Sequence, residues 1–288
     1  MSITITCGRA GDLIRAAVWE GKVLRDLYVD RLSTPDFTGA LVRGRVVRVL
    51  AGQKTAWIEA GLPEKIYVES AKPFKAGDTL TLRIQTTTQE GKAWIGAITK
   101  STEGENTLGI ITPPPQVWQR AIESVDEFAS LRFAHKNDYE AFVASGLAGK
   151  ATHEAKDSVH PQLDEMIDAL CEPVVPLAGG ASLVIEPTAA LVAIDVNGGA
   201  SSNPAATNLL AVREAARQIR LRNLGGIIVI DCLKMANRAD ASKVVNAFER
   251  VAASDPAGIH CYGLNKLGLL EATRTRRGLP LSSVVSDD

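Results

Sequence analysis

Apolar and polar residues alternate through residues 2–30, in "ITITC", "LIRAAVWEG" and "KVLRDLYVD", with Gly8, Gly11 and Gly21 at the breaks. A period of two punctuated by glycine predicts antiparallel hairpins. Five more short runs follow: "LVRGRVVRVL", "KTAWIEAG", "EKIYVES", "DTLTLRIQTTT" and "GKAWIGAITK". Five strands with almost no helical signal over residues 41–100 predict a small closed barrel of the OB type.

The pattern then breaks at "TEGENTLGIITPPPQ", whose three prolines at 113–115 cannot lie inside a helix. Apolar spacings of three and four take over in "VWQRAIESVDEFASL", "NDYEAFVASGLAG" and "HPQLDEMIDALCEPV" and predict helices. From Ser182 the order is strand, turn, strand, helix, strand: "ASLVIEP", "AALVAID", "NLLAVREAARQIRLRNLGG" and "IIVID". One more helix ("ASKVVNAFERVAAS"), a strand ("IHCYGL") and a basic segment ("LEATRTRRGLP") complete the chain. The fold class is therefore α/β, or α+β taken overall.

Composition narrows the classes without choosing one. The formal charge is −1, so bulk charge does not announce a polyanion partner, although residues 205–288 hold twelve Lys and Arg against eight Asp and Glu. Cys7, Cys171, Cys232 and Cys261 form no CxxC pair, which excludes a zinc ribbon and a redox motif and reads as buried thiols in a reducing compartment. No apolar run approaches the roughly 20 residues of a membrane span, and "MSITITCGRAGD" lacks the plan of a signal peptide. The expectation is a cytoplasmic protein without membrane partners.

Candidate chemistry collects on two strand ends. Asp195 closes "ALVAID" and Asp231 closes "IIVID", with one helix between them. If the strands are parallel neighbours, a right-handed crossover brings both carboxylates to one sheet edge, where α/β folds bind ligands. A hard divalent cation such as Mg²⁺ relieves the repulsion of two close carboxylates. Asn197 is placed to add a carbonyl or orient a metal-bound water, while either aspartate taken singly also suits a strand-end loop cap.

Other chemistries fare worse. "GLAGKAT" has its glycines too close and Ala151 where a phosphate loop needs Ser or Thr, so a nucleotide triphosphatase is not supported. His135, His153, His160 and His260 lack metal-ligand spacing, and no GxSxG motif occurs. In the barrel, Trp57 and Tyr67 beside Arg43, Arg45 and Lys65 suit base stacking with phosphate contacts, or plain packing. Arg213, Arg217 and Arg220 share a helix face, and Arg274, Arg276 and Arg277 cluster near the end. Each group suits a phosphate track or a solvated face.

Taken in order and spacing, "ALVAIDVNGG", "TNLLAVREAARQIRLRNLGGIIVID" and "GLLEATRTR" resemble the catalytic signature of the ribonuclease E/G family of endoribonucleases. The resemblance is strongest over about residues 179–280. It implies a split RNase H-like subdomain (1–38 plus 101–177), an inserted OB-type RNA-binding barrel (39–100) and a DNase I-like catalytic subdomain (178–288). It also implies that Asp195 and Asp231 hold one Mg²⁺ (or Mn²⁺), with Asn197 in support. Single-stranded RNA, clamped by the OB module, would then be cut to 5′-phosphate and 3′-hydroxyl ends. The residues read above as candidate RNA contacts are Trp57, Tyr67, Arg43, Lys65, Arg213, Arg217, Arg220 and Arg274.

The likeness has gaps. No counterpart of the family's 5′-end sensor fits the roughly 70 residues after the barrel, and no CPxC element appears before "SSVVSDD". No structural zinc is therefore expected, and a homodimer is left open without a zinc link. Lys234 stands where the family motif usually carries an acid. A non-catalytic RNA-binding protein on the same scaffold is the alternative.

Overall fold

The computed structural model describes residues 2–50, 52, 54–87, 93–99, 107–147, 151–154, 162–200 and 203–286. His160, residues 148–150 of "GLAGKAT" and residues 102–106 of the composition break lie outside the described residues. Three sheets organise the chain.

The first sheet holds β1 (Ile3–Ala10), β2 (Leu13–Glu20) and β3 (Val23–Arg31), the hairpins predicted from alternation, and two later strands, β10 (Ser130–Phe133) and β11 (Ala151–His153). Its order is β11-β10-β1-β2-β3, with β10 and β11 parallel to β1. The pairing is mixed, three antiparallel strands extended by two parallel ones. One face buries Ile5, Val18, Leu131 and Phe133 against α1 (Val117–Glu123) and α2 (Lys136–Ala144). The other packs Trp19 and Leu24 on α3 (Leu163–Cys171) and α6 (Leu281–Val285).

The barrel comprises β4 (Leu41–Val49), β5 (Thr55–Glu59), β6 (Ile66–Glu69), β7 (Thr79–Thr86) and β8 (Trp94–Ile98). The order β5-β6-β8-β7-β4 closes through β4–β5 pairing, so the five strands have no free edge among themselves. Val42, Val46, Ile58, Ile66, Leu82 and Ile84 fill the interior. Gly44 is required there, because a Cβ would come within 2.4 Å of the Ile58 side chain. An unexpected strand, β9 (Gly109–Thr112), extends the barrel along β4 just before the prolines.

The third sheet has the order β12-β13-β14-β15-β17-β16. Its strands are β12 (Val174–Pro176), β13 (Ser182–Pro187), β14 (Leu191–Asn197), β15 (Gly226–Asp231), β16 (Ile259–Leu264) and β17 (Leu269–Arg274). Helices α4 (Pro204–Leu221) and α5 (Arg238–Ala252) cover one face, burying Ile194, Ile228, Ile230, Ile219 and Phe248. Asn203 starts α4 by accepting the Ala206 amide at 3.1 Å, with Pro204 in the first turn. At the other end Asn223 takes a left-handed φ of 49° and turns the chain into β15.

Three sequence expectations change. Helix α1 stops at Glu123, where Ser124 donates its hydroxyl to the Ala121 carbonyl at 2.8 Å, and the apolar residues beyond it serve β10 instead. Pairing of Leu131 with Ile5 outweighs the local period. Likewise α3 ends at Cys171, and residues 174–176 join the third sheet. "LLEATR", read as part of a basic segment, is β17, inserted between β15 and β16. Its inward positions are Leu270, Ala272 and Arg274, and an arginine on the buried side disguises the alternation.

Candidate functional site

β14 and β15 are parallel neighbours joined by α4, and Asp195 and Asp231 are register partners at the end of that pairing. Neighbouring strands lie about 4.8 Å apart, so the two exposed carboxylates stand side by side on the sheet face that the helices leave open. Asn197 lies on the same face two residues on, and it too is exposed. Among the described residues no group of three or more His, Cys, Asp or Glu gathers to hold a metal. The donor set at this edge is therefore two carboxylates and a carboxamide, all oxygen donors. That is the scant protein coordination Mg²⁺ accepts while keeping its waters, and it does not suit zinc.

The surroundings hold the edge in place. Asn208, completely buried in the first turns of α4, clamps the chain after Asp231. Its Nδ2 donates to the Leu233 carbonyl at 2.8 Å, and the Leu233 amide donates to its Oδ1 at 2.9 Å. Sequence reading missed this residue. The available signal was an asparagine on the mostly apolar inward face of the helix.

On the other strand, Gly199 sits at φ 57° against the Gly180 carbonyl, where a Cβ would fall 2.3 Å from that oxygen. The "NGG" turn thus packs backbone to backbone. Between the two carboxylate loops, burial first and the Asp231 charge second push the Cys232 thiol up to about 12. Burial thus favours the protonated thiol at Cys232. Lys234, three residues past Asp231, is exposed.

The arginines expected to track phosphate separate by role. Arg213 is exposed on α4. Arg217 donates to Glu214 at 2.8 Å. Arg220 is nearly buried and grips Asp26 of β3 through two bonds, one of 2.6 Å, while its Nη1 donates to the Ser254 carbonyl at 2.7 Å. Arg274 is buried against Asp255 at 2.8 Å and also donates to Asn223 at 2.9 Å. Arg220 and Arg274 are thus internal braces, and the three-arginine face on α4 does not form as a phosphate track. Arg276 and Arg277 remain exposed.

On the barrel, Trp57 and Tyr67 are register partners on the outer face, their rings edge to face at 5.8 Å. Ile95 extends the row across β8. The cation paired with Trp57 across β4 is Arg48, exposed, whereas Arg43 turns to Thr81 at 3.4 Å and Lys65 is exposed one residue before β6. The described histidines gather no metal site: His153 stacks on Tyr139, and His260 meets Tyr262 edge to face. None of the four cysteines is disulfide-bonded. Cys7 and Cys232 are buried as expected, while Cys171 and Cys261 are half-buried.

An OB-type barrel joined to a mixed α/β body, with a carboxylate pair at the end of two parallel strands, defines the architectural class. Comparison with known proteins narrows it: the model of the Ribonuclease E/G family matches residues 87–277, about two thirds of the chain, and the chain belongs to that family. Ribonuclease E of Nostoc sp. is 37% identical over 133 residues, covering 44% of this chain and 19% of the Nostoc protein. A chloroplastic ribonuclease E/G-like protein of Arabidopsis thaliana is 38% identical over 135 residues, covering 44% of this chain and 14% of that one. Ribonuclease E of Escherichia coli is 38% identical over 124 residues, covering 41% and 12%. The matched part therefore spans less than a fifth of each of these relatives. No helix among the described residues is long and apolar enough to cross a membrane.

Proposed function

We propose that the chain is a metal-dependent endoribonuclease acting on single-stranded RNA, with its reaction centre at Asp195 and Asp231. The observation that carries this reading is the register pairing of the two carboxylates on parallel strands inside the region that matches the ribonuclease E/G family. Asp195 and Asp231 would hold Mg²⁺, with Mn²⁺ as a substitute. The ion, when bound, supplies positive charge that acidifies a water and stabilises charge on a phosphoryl group.

The remaining tasks fall to the chain. Asn197 orients the attacking water by hydrogen bonding. Asn208 keeps Asp231 aimed by fixing Leu233, and Cys232 keeps its proton. Trp57 and Tyr67 offer ring faces to unpaired bases, with Arg48 and Lys65 at hand for phosphates. Attack by water at phosphorus with departure of the 3′-oxygen leaves 5′-phosphate and 3′-hydroxyl ends. The site of action is read as the cytoplasm, and a homodimer remains compatible with the chain.

Lys234, exposed three residues past Asp231 where the family motif usually carries an acid, favours a second reading, an RNA-binding protein without turnover, because an ammonium in place of a carboxylate lowers the negative charge that would hold a cation. One assay separates the two. Cleavage of an unstructured oligoribonucleotide with Mg²⁺, abolished by EDTA and by Asp195→Asn or Asp231→Asn in folded protein, supports the nuclease. RNA binding without cleavage in Mg²⁺ or Mn²⁺ supports the alternative, and full activity in both variants overturns the site.

A further inference from the structure

The open face of the third sheet carries an aromatic feature on its edge strand, two strands across from Asp231. Tyr262 is 63% exposed, yet its ring is held. It is the extra residue of a β-bulge in edge strand β16, between Cys261, which pairs with Ala272, and Gly263, which pairs with Glu271. The ring meets the His260 imidazole edge to face at 4.6 Å, and its hydroxyl lies 3.5 Å from the Thr273 hydroxyl. Thr273 alternates with buried Ala272 and Arg274, so it points to the open face, as does its cross-strand partner Ile227, itself 52% exposed. Tyr262 therefore shares a face with Asp195 and Asp231.

The separation follows from the ladder. Tyr262 lies between the levels of Ile228 and Val229 on β15, two to three residues short of Asp231 or about 8 Å of strand, and β16 is two strand spacings away, about 10 Å. Its backbone stands about 13 Å from the carboxylate edge, roughly three or four nucleotides of a stacked or slightly extended strand. Glu271 lies on the same face between them, accepting a 2.9 Å bond from Asn265, and Glu186 lies on it toward β13. These carboxylates turn phosphates away, so a nucleic-acid strand crossing this face meets β16 with a base rather than with its backbone. A held, exposed aromatic ring is what an unpaired base stacks on.

We propose that Tyr262, supported by His260, is a stacking platform on β16 that grips one unpaired base of the RNA a few nucleotides from the cleavage point. The proposal rests on the RNA-cleaving reading above. Its test uses the whole chain and a 12-nucleotide unstructured oligoribonucleotide carrying 2-aminopurine, titrated in EDTA so that binding is read without turnover. Tyr262→Ala is expected to weaken binding by about 5- to 150-fold, the range of one lost base–aromatic stack. Tyr262→Phe is expected to bind like the original protein, because stacking needs the ring and not the hydroxyl. With Mg²⁺, Tyr262→Ala raises KM and leaves kcat within about two-fold.

Binding by Tyr262→Ala within two-fold of the original overturns the platform, as does a Tyr262→Phe variant as weak as Tyr262→Ala. A change of oligomeric state in Tyr262→Ala by light scattering also overturns it, and assigns the face to a second copy of the chain. Failure of the unsubstituted protein to bind or cleave RNA sinks the functional reading instead. Cleavage intact in both proteins with equal affinity sinks the platform alone.

Discussion

Replacing Asn208 by alanine tests how the carboxylate edge is held. The residue is fully buried and makes two bonds, at 2.8 and 2.9 Å, to the carbonyl and amide of Leu233. Alanine removes both partners and leaves the Leu233 backbone groups to find water. A buried polar group left unpaired costs about 1–3 kcal/mol. Leu233 is only half-buried, so water recovers part of this, and the expected loss is about 2–4 kcal/mol.

With a urea m value of about 2 kcal/mol/M, the unfolding midpoint drops by about 1–2 M with an unchanged slope. Cleavage or Mn²⁺ affinity, measured well below the new midpoint, falls by about 10- to 100-fold, as for other residues that orient metal ligands indirectly. A variant of unchanged midpoint refutes the clamp. A destabilised variant with unimpaired Mn²⁺ affinity and cleavage refutes its link to Asp231.

Two further outcomes follow from the internal ion pairs and the buried acids. Arg274→Ala strands buried Asp255 and Arg220→Ala strands buried Asp26, each at about 3–5 kcal/mol, seen as Tm losses on the order of 10 °C. Arg213→Ala, on an exposed residue, leaves Tm unchanged, and equal Tm values for all three would contradict the brace assignment. Burial holds the thiols of Cys7 and Cys232 and the phenol of Tyr28 protonated above their ordinary values, with Cys232 and Tyr28 near about 12. Their folded values exceed the unfolded ones, so this stability is complete below about pH 8.5 and is lost as pH rises toward 12. Unfolding free energy from urea titrations should fall above about pH 8.5, by up to about 1.4 kcal/mol per pH unit for each thiol, with Tyr28 contributing only above about pH 10, and a flat profile contradicts this.

The sequence alone determined what depends on local period and on strand ends. Alternation marked β1–β3 and the five barrel strands, because one wet and one buried face impose a period of two. Two apolar runs ending in Asp195 and Asp231 around one helix were legible as a carboxylate pair, since a short crossover constrains its strands to lie parallel and close.

Tertiary structure decided the rest. The strand pairing that drew Leu131 out of a helical pattern, and the insertion of β17 between β15 and β16, depend on partners far along the chain. The fates of the arginines were equally hidden. Arg213, Arg220 and Arg274 look alike in sequence, and only the positions of Asp26 and Asp255 decide which charges are neutralised in the interior and which face solvent. Asn208 carried only the mark of a polar residue on an inward helix face, and Tyr262 none. The first acts through a backbone 25 residues away, and the second through a bulge that turns its ring onto the same open face as the carboxylates.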